Sequence, residues 1–361
     1  MALSHGHRRY YGLRHMKWIM VGSEREGIIT RNTGLEHHAR WKPAKGKVKP
    51  PTIVTTKTET DMRELAREAR RGTEVLRSLN WDLTRMVKLL RDEPVCRPNT
   101  NLRPELYDKV LQGYGNLDLM KQIAESGVQV EMKTGFIAPR PWPGNFKIDR
   151  LALPLIHHDY ADLFNQRKGF FVDMGPTGHF CPDMVNSPVG GVEKGGHPIW
   201  KKVRIIAGLS TPEERSINAN TANEAPDACF GVVGELTDRI LTLRWNEQPN
   251  GGETTIMGMS ADIDSAFRQI PVCANSVQYF ASRVPNTKIL FLPLDLVFGW
   301  TASPGYFAIY SKAVRHLQKT KGSWLDCNWT NFWTFVWVDD VILIEPDVDS
   351  GTRCRRGGTS S

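Results

Sequence analysis

The sequence predicts an α+β protein, on three observations. Between residues 58 and 126 apolar residues recur at steps of three and four, the period of an amphipathic helix. Beyond about Lys147, short runs rich in β-branched and aromatic residues alternate with Gly, Pro and Asn, as strands alternate with turns. Finally, Phe335-Val336-Trp337-Val338 and Val341-Ile342-Leu343-Ile344 flank Asp339-Asp340, the pattern of a tight β-hairpin with an acidic tip.

In the helical half, Met62, Leu65, Ala66 and Ala69, then Val75, Leu76 and Leu79, then Leu83, Met86, Leu89 and Leu90 keep the helical step, with Gly72 and Asn80 expected as interruptions. Pro104 suits the first turn of a helix reaching Leu111, and Gly127 closes another that begins at Leu117. Pro139, Pro141 and Pro143 end this region, which carries no chemical motif. The expected organisation is a basic, poorly ordered arm over residues 1–57, a mainly helical region over 58–146, a catalytic body over 147–349 and a disordered tail over 350–361.

With 40% hydrophobic and 24% charged residues among 361, the chain has the balance of a soluble protein with a substantial core. Its longest apolar stretch, Phe332 to Ile344, is broken by two aspartates, and the first residues lack the layout of a secretory leader. An intracellular protein with no membrane partner is expected. The six cysteines are scattered without a C-x-x-C pair, which argues against a zinc site or a disulfide framework. His37-His38 and His157-His158 point apart on any regular element and make poor metal ligands. Residues 1–50 hold 11 Lys and Arg against 3 Glu, an excess of +8 that equals the net charge of the whole chain. This arm reads as a binder of nucleic-acid phosphates or as a solvated linker.

Two acidic segments carry the chemistry. Adjacent aspartates suit any surface turn, but apolar strands on both sides of Asp339-Asp340 set like charges beside a core, where they need a positive partner. The segment Met257 to Val272 sets Asp262 at the end of a strand, with the aromatic Phe267 five residues on. Asp264 shares a strand face with Asp262, which leaves it an auxiliary role. Carboxylates from two adjacent strands suit Mg²⁺, and joining a 3′-hydroxyl to an α-phosphate with loss of pyrophosphate uses two such ions about 3.5–4 Å apart.

In order and spacing, Asp262 with Phe267, then Phe298-Gly299-Trp300-Thr301-Ala302-Ser303-Pro304, then Val338-Asp339-Asp340 resemble three polymerase motifs of reverse transcriptases. The Phe-Gly and Ser-Pro pairs are similar to those of retrotransposon enzymes. This resemblance, from His157 to Asp349, implies a split βαβ palm, an antiparallel sheet backed by helices, with β-rich fingers inserted. It implies an RNA-directed DNA polymerase that adds dNTPs to a DNA or RNA primer on an RNA template. Asp262, Asp339 and Asp340 would be its catalytic and metal-binding carboxylates, with two Mg²⁺ ions as cofactors and Mn²⁺ as a substitute.

Asn186 to Lys194 and Lys202 to Ser210 look like the two fingers strands of that family, which would put Lys194 and Arg204 on the triphosphate. A mobile point charge and a planar fork of donors suit that ligand. Phe267 resembles the bulky residue that excludes a 2′-hydroxyl, and Phe298 and Gly299 would lie against the template base and incoming nucleotide. Ser303-Pro304 is expected to cap and open a helix through Phe307 and Leu317, and Trp324, Trp329, Trp333 and Trp337 to pack in the core.

Some residues depart from the family pattern. Gly208 stands where relatives often have an acid, and Trp337 where many have Tyr. After Asp349 the composition cannot build a packed thumb, so a truncated retroelement reading frame is expected, working in a cytoplasmic particle or at the nucleus. Two alternatives stand beside it. One is a catalytically inactive fragment that binds nucleic acid through its arm; the other is an RNA-dependent RNA polymerase, disfavoured by Phe267 and by Val338 before the Asp pair.

Overall fold

The computed structural model describes residues 13–21, 29–31, 55–91, 98–222, 224–247, 256–321 and 333–346, the first two segments as backbone only. Its elements begin with β1 (Leu13–Val21), β2 (Ile29–Arg31), α1 (Thr55–Ser78), α2 (Leu83–Arg91), α3 (Pro104–Val110), α4 (Leu117–Ser126) and α5 (Leu153–Asn165). There follow β3 (Gly169–Asp173), α6 (Met174–Phe180), β4 (Asn186–Ser187), β5 (Val189–Glu193), β6 (Val203–Ala207), α7 (Ile217–Asn220) and α8 (Val233–Glu247). The chain continues through β7 (Ile256–Ile263), β8 (Ala281–Arg283), β9 (Ile289–Pro293), α9 (Ser303–Lys321), β10 (Thr334–Trp337) and β11 (Asp340–Pro346). This is the mixed α+β architecture that the sequence predicts.

The helical region follows the apolar period with one correction. Gly72 does not interrupt α1: a Cβ there would stand 2.1 Å from the carbonyl oxygen of Phe171, so glycine is what lets the helix lie against β3. The break falls at Asn80 and Trp81, both in the left-handed region with φ of 56° and 63°. Leu76, Leu83, Met86 and Ile123 from this region share one apolar cluster with Phe267, Trp300 and Phe307, so the core runs across the boundary expected near residue 146. Each fully buried Leu, Ile or Phe contributes about 1.5–3 kcal/mol to holding it.

Within the stretch read as β-rich, α5 and α8 are helices. In α5 the buried Ile156, Tyr160 and Ala161 are interleaved with His157, His158 and Asp159, which obscures the helical period. Its two histidines are spent structurally. One, His157, pairs through Nε2 with the Pro285 carbonyl at 2.9 Å, and the other, His158, lies 3.4 Å from Asp61 and 3.5 Å from Asp162.

Among the described residues three sheets are formed. One has the order β10-β11-β7-β1-β2, a second β3-β9-β8-β4, and β5 and β6 form a separate hairpin. The first is antiparallel throughout, whereas β4 and β8 pair in parallel. Helices α8 and α9 tie to the first sheet and to each other: Arg239 donates to Glu345 at 3.0 Å, Arg315 donates to Glu235 at 2.8 Å, and Val314 packs on Ala261, Val336, Val341 and Leu343.

The arm departs from expectation in part. Residues 13–21 form β1, antiparallel to β7, and residues 29–31 extend the sheet as β2. The physical reason is that β7 would otherwise present an unpaired edge, which a neighbouring strand satisfies. Residues 1–12, 22–28 and 32–54 of the arm, the tail over 350–361, and Trp324 and Trp329 lie outside the described residues. Trp337 is 46% exposed rather than packed in the core.

Candidate active site

The acidic hairpin forms, with its turn one residue earlier than the Asp339-Asp340 tip that the sequence predicts. Trp337 pairs with Asp340 across β10 and β11, leaving Val338 and Asp339 as a two-residue turn. Val338 has φ of 53°, a left-handed conformation that a β-branched residue adopts only under strain of about 1–3 kcal/mol. The strand β11 then lies against β7 with Asp340 directly opposite Asp262. The ladder closes beyond that pair through a hydrogen bond from the Ile263 N–H to the Asp339 carbonyl, 3.0 Å long.

All three predicted carboxylates are therefore on adjoining positions of one sheet end. Their mutual field is felt at Asp340, whose carboxyl is raised above the usual range by burial first and then by Asp339 and Asp262. Even so, among the described residues no three His, Cys, Asp or Glu side chains converge into a group that could hold a metal ion. Mg²⁺ is a hard cation that keeps several waters and takes one or two carboxylates plus substrate phosphates, so carboxylate is the donor chemistry it would need here rather than a closed protein cage. Asp264 stands apart from the trio: its carboxylate accepts from the Ser265 hydroxyl at 3.3 Å, and its carbonyl from the Gln269 amide at 2.9 Å.

Beyond β7 the chain turns at Ser265, with φ of 57°, into a 3-10 turn over Ala266–Gln269 that carries Phe267. The Phe267 ring is buried. It meets the Phe298 ring with centroids 4.8 Å apart and the Phe307 ring at 5.7 Å. Phe298 is 47% exposed, so the pair presents one aromatic face outward. Gly299 follows with φ of 102°, and a Cβ there would stand 2.6 Å from the Ala207 carbonyl oxygen, so this loop is pressed against β6.

Sequence reasoning missed the residue that holds this loop. Asn218, in α7, donates to the Gly299 carbonyl at 2.8 Å and to the Ser210 hydroxyl at 2.9 Å, and its oxygen accepts the Thr301 N–H at 3.0 Å. Only its place after the capping residue Ser216 marks it in the sequence, and that signals a helix start and no more. Ser303 also differs from expectation: its hydroxyl donates to the Val297 carbonyl at 2.8 Å, tying α9 back to the same loop rather than capping the helix.

Lys194 and Arg204 belong to the β5–β6 hairpin. Val192 pairs with Arg204, and Lys194 follows Val192 by two residues, so period two sets both cations on one face of the hairpin. Both are exposed, and among the described residues neither side chain is engaged in a hydrogen bond or ion pair. A small cavity lined by Tyr160, Val189, Ile205, Arg268, Ser282 and Phe298 lies between this hairpin and β9.

No family model matches the sequence, and no curated protein does. Among solved structures, a foamy viral protease-reverse transcriptase in complex with double-stranded DNA is similar, with a TM-score of 0.36 and 16% identity. The alignment covers 67% of this chain and 37% of that one, so the chain spans little more than a third of its length. Among the described residues no helix is long and apolar enough to cross a membrane.

Proposed function

We propose that this chain carries the fingers and palm of a reverse transcriptase-like polymerase from a retroelement, acting by RNA-templated addition of dNTPs to a primer 3′ end. One observation carries the reading: the register that sets Asp340 opposite Asp262, with Asp339 in the turn between β10 and β11. Like charges directly opposite each other cost a sheet stability, so the meeting of two acidic motifs 77 residues apart supports a cation shared between them.

In this reading Asp262, Asp339 and Asp340 would hold two Mg²⁺ ions, or Mn²⁺ in their place, and these would supply Lewis-acid stabilisation of the attacking oxygen and of the leaving phosphates. Lys194 and Arg204 neutralise the triphosphate from the hairpin. Phe267, backed by Phe298 and Phe307, stands against the sugar and rejects a 2′-hydroxyl by bulk. Phe298 and Gly299 face the base and the incoming nucleotide, with the loop steadied by Asn218.

The test is primer extension on poly(rA)·oligo(dT) with Mg²⁺ and dTTP, comparing the chain with its Asp339→Asn variant. Extension that disappears in the variant supports the polymerase; extension that persists overturns it. A second reading, a retroelement fragment that binds nucleic acid without catalysis, is favoured by the lack of a converged three-ligand group among the described residues. It predicts no extension by either protein, with salt-dependent RNA binding that is lost when Arg40, Lys42, Lys45, Lys47 and Lys49 are neutralised, which leaves β1 and β2 in place.

A further inference from the structure

The turn that carries Phe267 is held from outside its own strand. Within the turn, the Arg268 N–H donates to the Ser265 carbonyl at 2.7 Å and the Ile270 N–H to that of Phe267 at 3.1 Å. Two further carbonyls are taken by side chains distant in sequence. The Asn99 amide donates to Gln269 at 2.7 Å, and the Lys168 ammonium donates to Arg268 at 2.5 Å. An ammonium on a carbonyl is a charge-assisted bond, about twice as strong as a neutral one.

Lys168 sits between α5 and β3, where its own carbonyl accepts the Leu294 N–H at 2.9 Å. Its ammonium lies 3.4 Å from the Asp295 carboxylate, and the two side chains are only 18% and 8% exposed. Arg91, which donates to the carbonyls of Val272 and Leu294 at 2.8 Å each, adds a second cation beside Asp295. Burying such a pair is expensive, and an apolar pair of the same size would often serve the core as well or better. What an apolar pair cannot do is hold the Arg268 carbonyl.

We propose that Lys168, braced by Asp295, is the positioning residue that fixes the turn carrying Phe267, through the Arg268 carbonyl, and so sets discrimination between deoxy- and ribonucleotides. The proposal deepens the polymerase reading and rests on it. A steric barrier works only while it cannot yield, and a displacement of about 1 Å in a site can change rates about a hundredfold. The ring of Phe267 is fixed on one side by Phe298 and Phe307, and the Arg268 carbonyl, one peptide further along the turn, by Lys168. Lys168 touches no reacting group; it acts through Phe267.

The experiment uses the full chain with Lys168→Met, which keeps length and removes charge, and Lys168→Arg, which keeps a cationic donor. Discrimination is the ratio of kcat/KM for dTTP and UTP. It should fall about tenfold or more in Lys168→Met, through a lower KM for UTP, while kcat for dTTP changes by less than about threefold; Lys168→Arg should restore it. In parallel, 4-fluorophenylalanine at position 267 reports the ring by ¹⁹F NMR without any turnover. Its resonance should shift or broaden in Lys168→Met and stay in place in Lys168→Arg.

An unmoved resonance in Lys168→Met, or unchanged discrimination, overturns the proposal. Absence of incorporation by the unsubstituted chain overturns the polymerase reading instead, and the resonance alone then decides whether Lys168 holds Phe267. If Lys168→Met does not fold, Lys168→Gln, a neutral donor, is judged by the same two readouts.

Discussion

Asp340 stands directly opposite Asp262 on neighbouring antiparallel strands, with Asp339 one residue away in the turn. Like charges directly opposite each other in a sheet are destabilising by about 0.2–1 kcal/mol. The carboxyl of Asp340 registers this, raised by burial and then by its two neighbours. A sheet that keeps such a pair beside a strained Val338 gives up stability at that end.

Neutralising either member should therefore separate stability from function. Asp262→Asn is expected to hold or raise the melting temperature slightly in metal-free buffer, while dNTP addition falls by about a thousandfold or more. Added Mg²⁺ should raise the melting temperature of the unsubstituted chain and leave that of Asp262→Asn unmoved. Equal shifts in both proteins would remove Asp262 from the metal site.

Phe267→Ala should admit ribonucleotides. The substitution removes a buried ring that packs on Phe298 and Phe307, so a stability loss of about 3–5 kcal/mol is expected along with it. Phe267→Leu keeps more of the packing and should relax selectivity by a smaller factor. Incorporation assays with UTP against dTTP measure both, and selectivity unchanged in the Ala variant would take Phe267 out of the nucleotide pocket.

The hairpin was legible because it is a local pattern, continuous apolar runs on both sides of an acidic pair, whereas the meeting of its aspartates with β7 was expected only from the resemblance to polymerase motifs. Gly299 was expected against the nucleotide, and the close approach that the structure shows there is to the Ala207 carbonyl of β6. Helix α5 was not, because its apolar residues are interleaved with His157, His158 and Asp159 and pack against elements distant in the chain. Strand β1 was hidden by its surroundings: residues 1–50 read together as one basic arm, and only the open edge of β7 gives residues 13–21 a partner. Asn218, Lys168 and Asp295 act through long-range hydrogen bonds and ion pairs, which leave no periodic trace in sequence.

Gly299→Ala tests how tightly the Phe298 loop is set. A methyl group at φ of 102° meets the Ala207 carbonyl at 2.6 Å, so the loop or β6 must shift, at an expected cost of about 2–3 kcal/mol. Asn218→Ala removes the bonds to Gly299 and Thr301 and should cost about 1–3 kcal/mol. Both variants should raise KM for dNTPs more than they lower kcat, because they loosen Phe298 without touching a carboxylate. Urea melts together with steady-state kinetics measure the two effects, and a variant that loses stability with an unchanged KM would assign the loop to folding alone.

The buried Asp295 should leave a mark on stability against pH. Burial pushes its carboxyl up to about 6, and Lys168, Arg91 and Arg268 oppose the shift without cancelling it. From the ordinary carboxylate value up to about 6, the folded protein holds a proton that the unfolded chain has released. Stability due to this group is therefore fully present below that window and falls as pH rises through it, by on the order of 2–3 kcal/mol, then levels off. Urea melts at several pH values between 4 and 7 should show this decline against the trend of the surface carboxylates, and Asp295→Asn should remove it. Parallel profiles for the two proteins would mean that Lys168 and the two arginines keep Asp295 ionised throughout, so that the ion pair rather than the proton governs the turn beside Phe267.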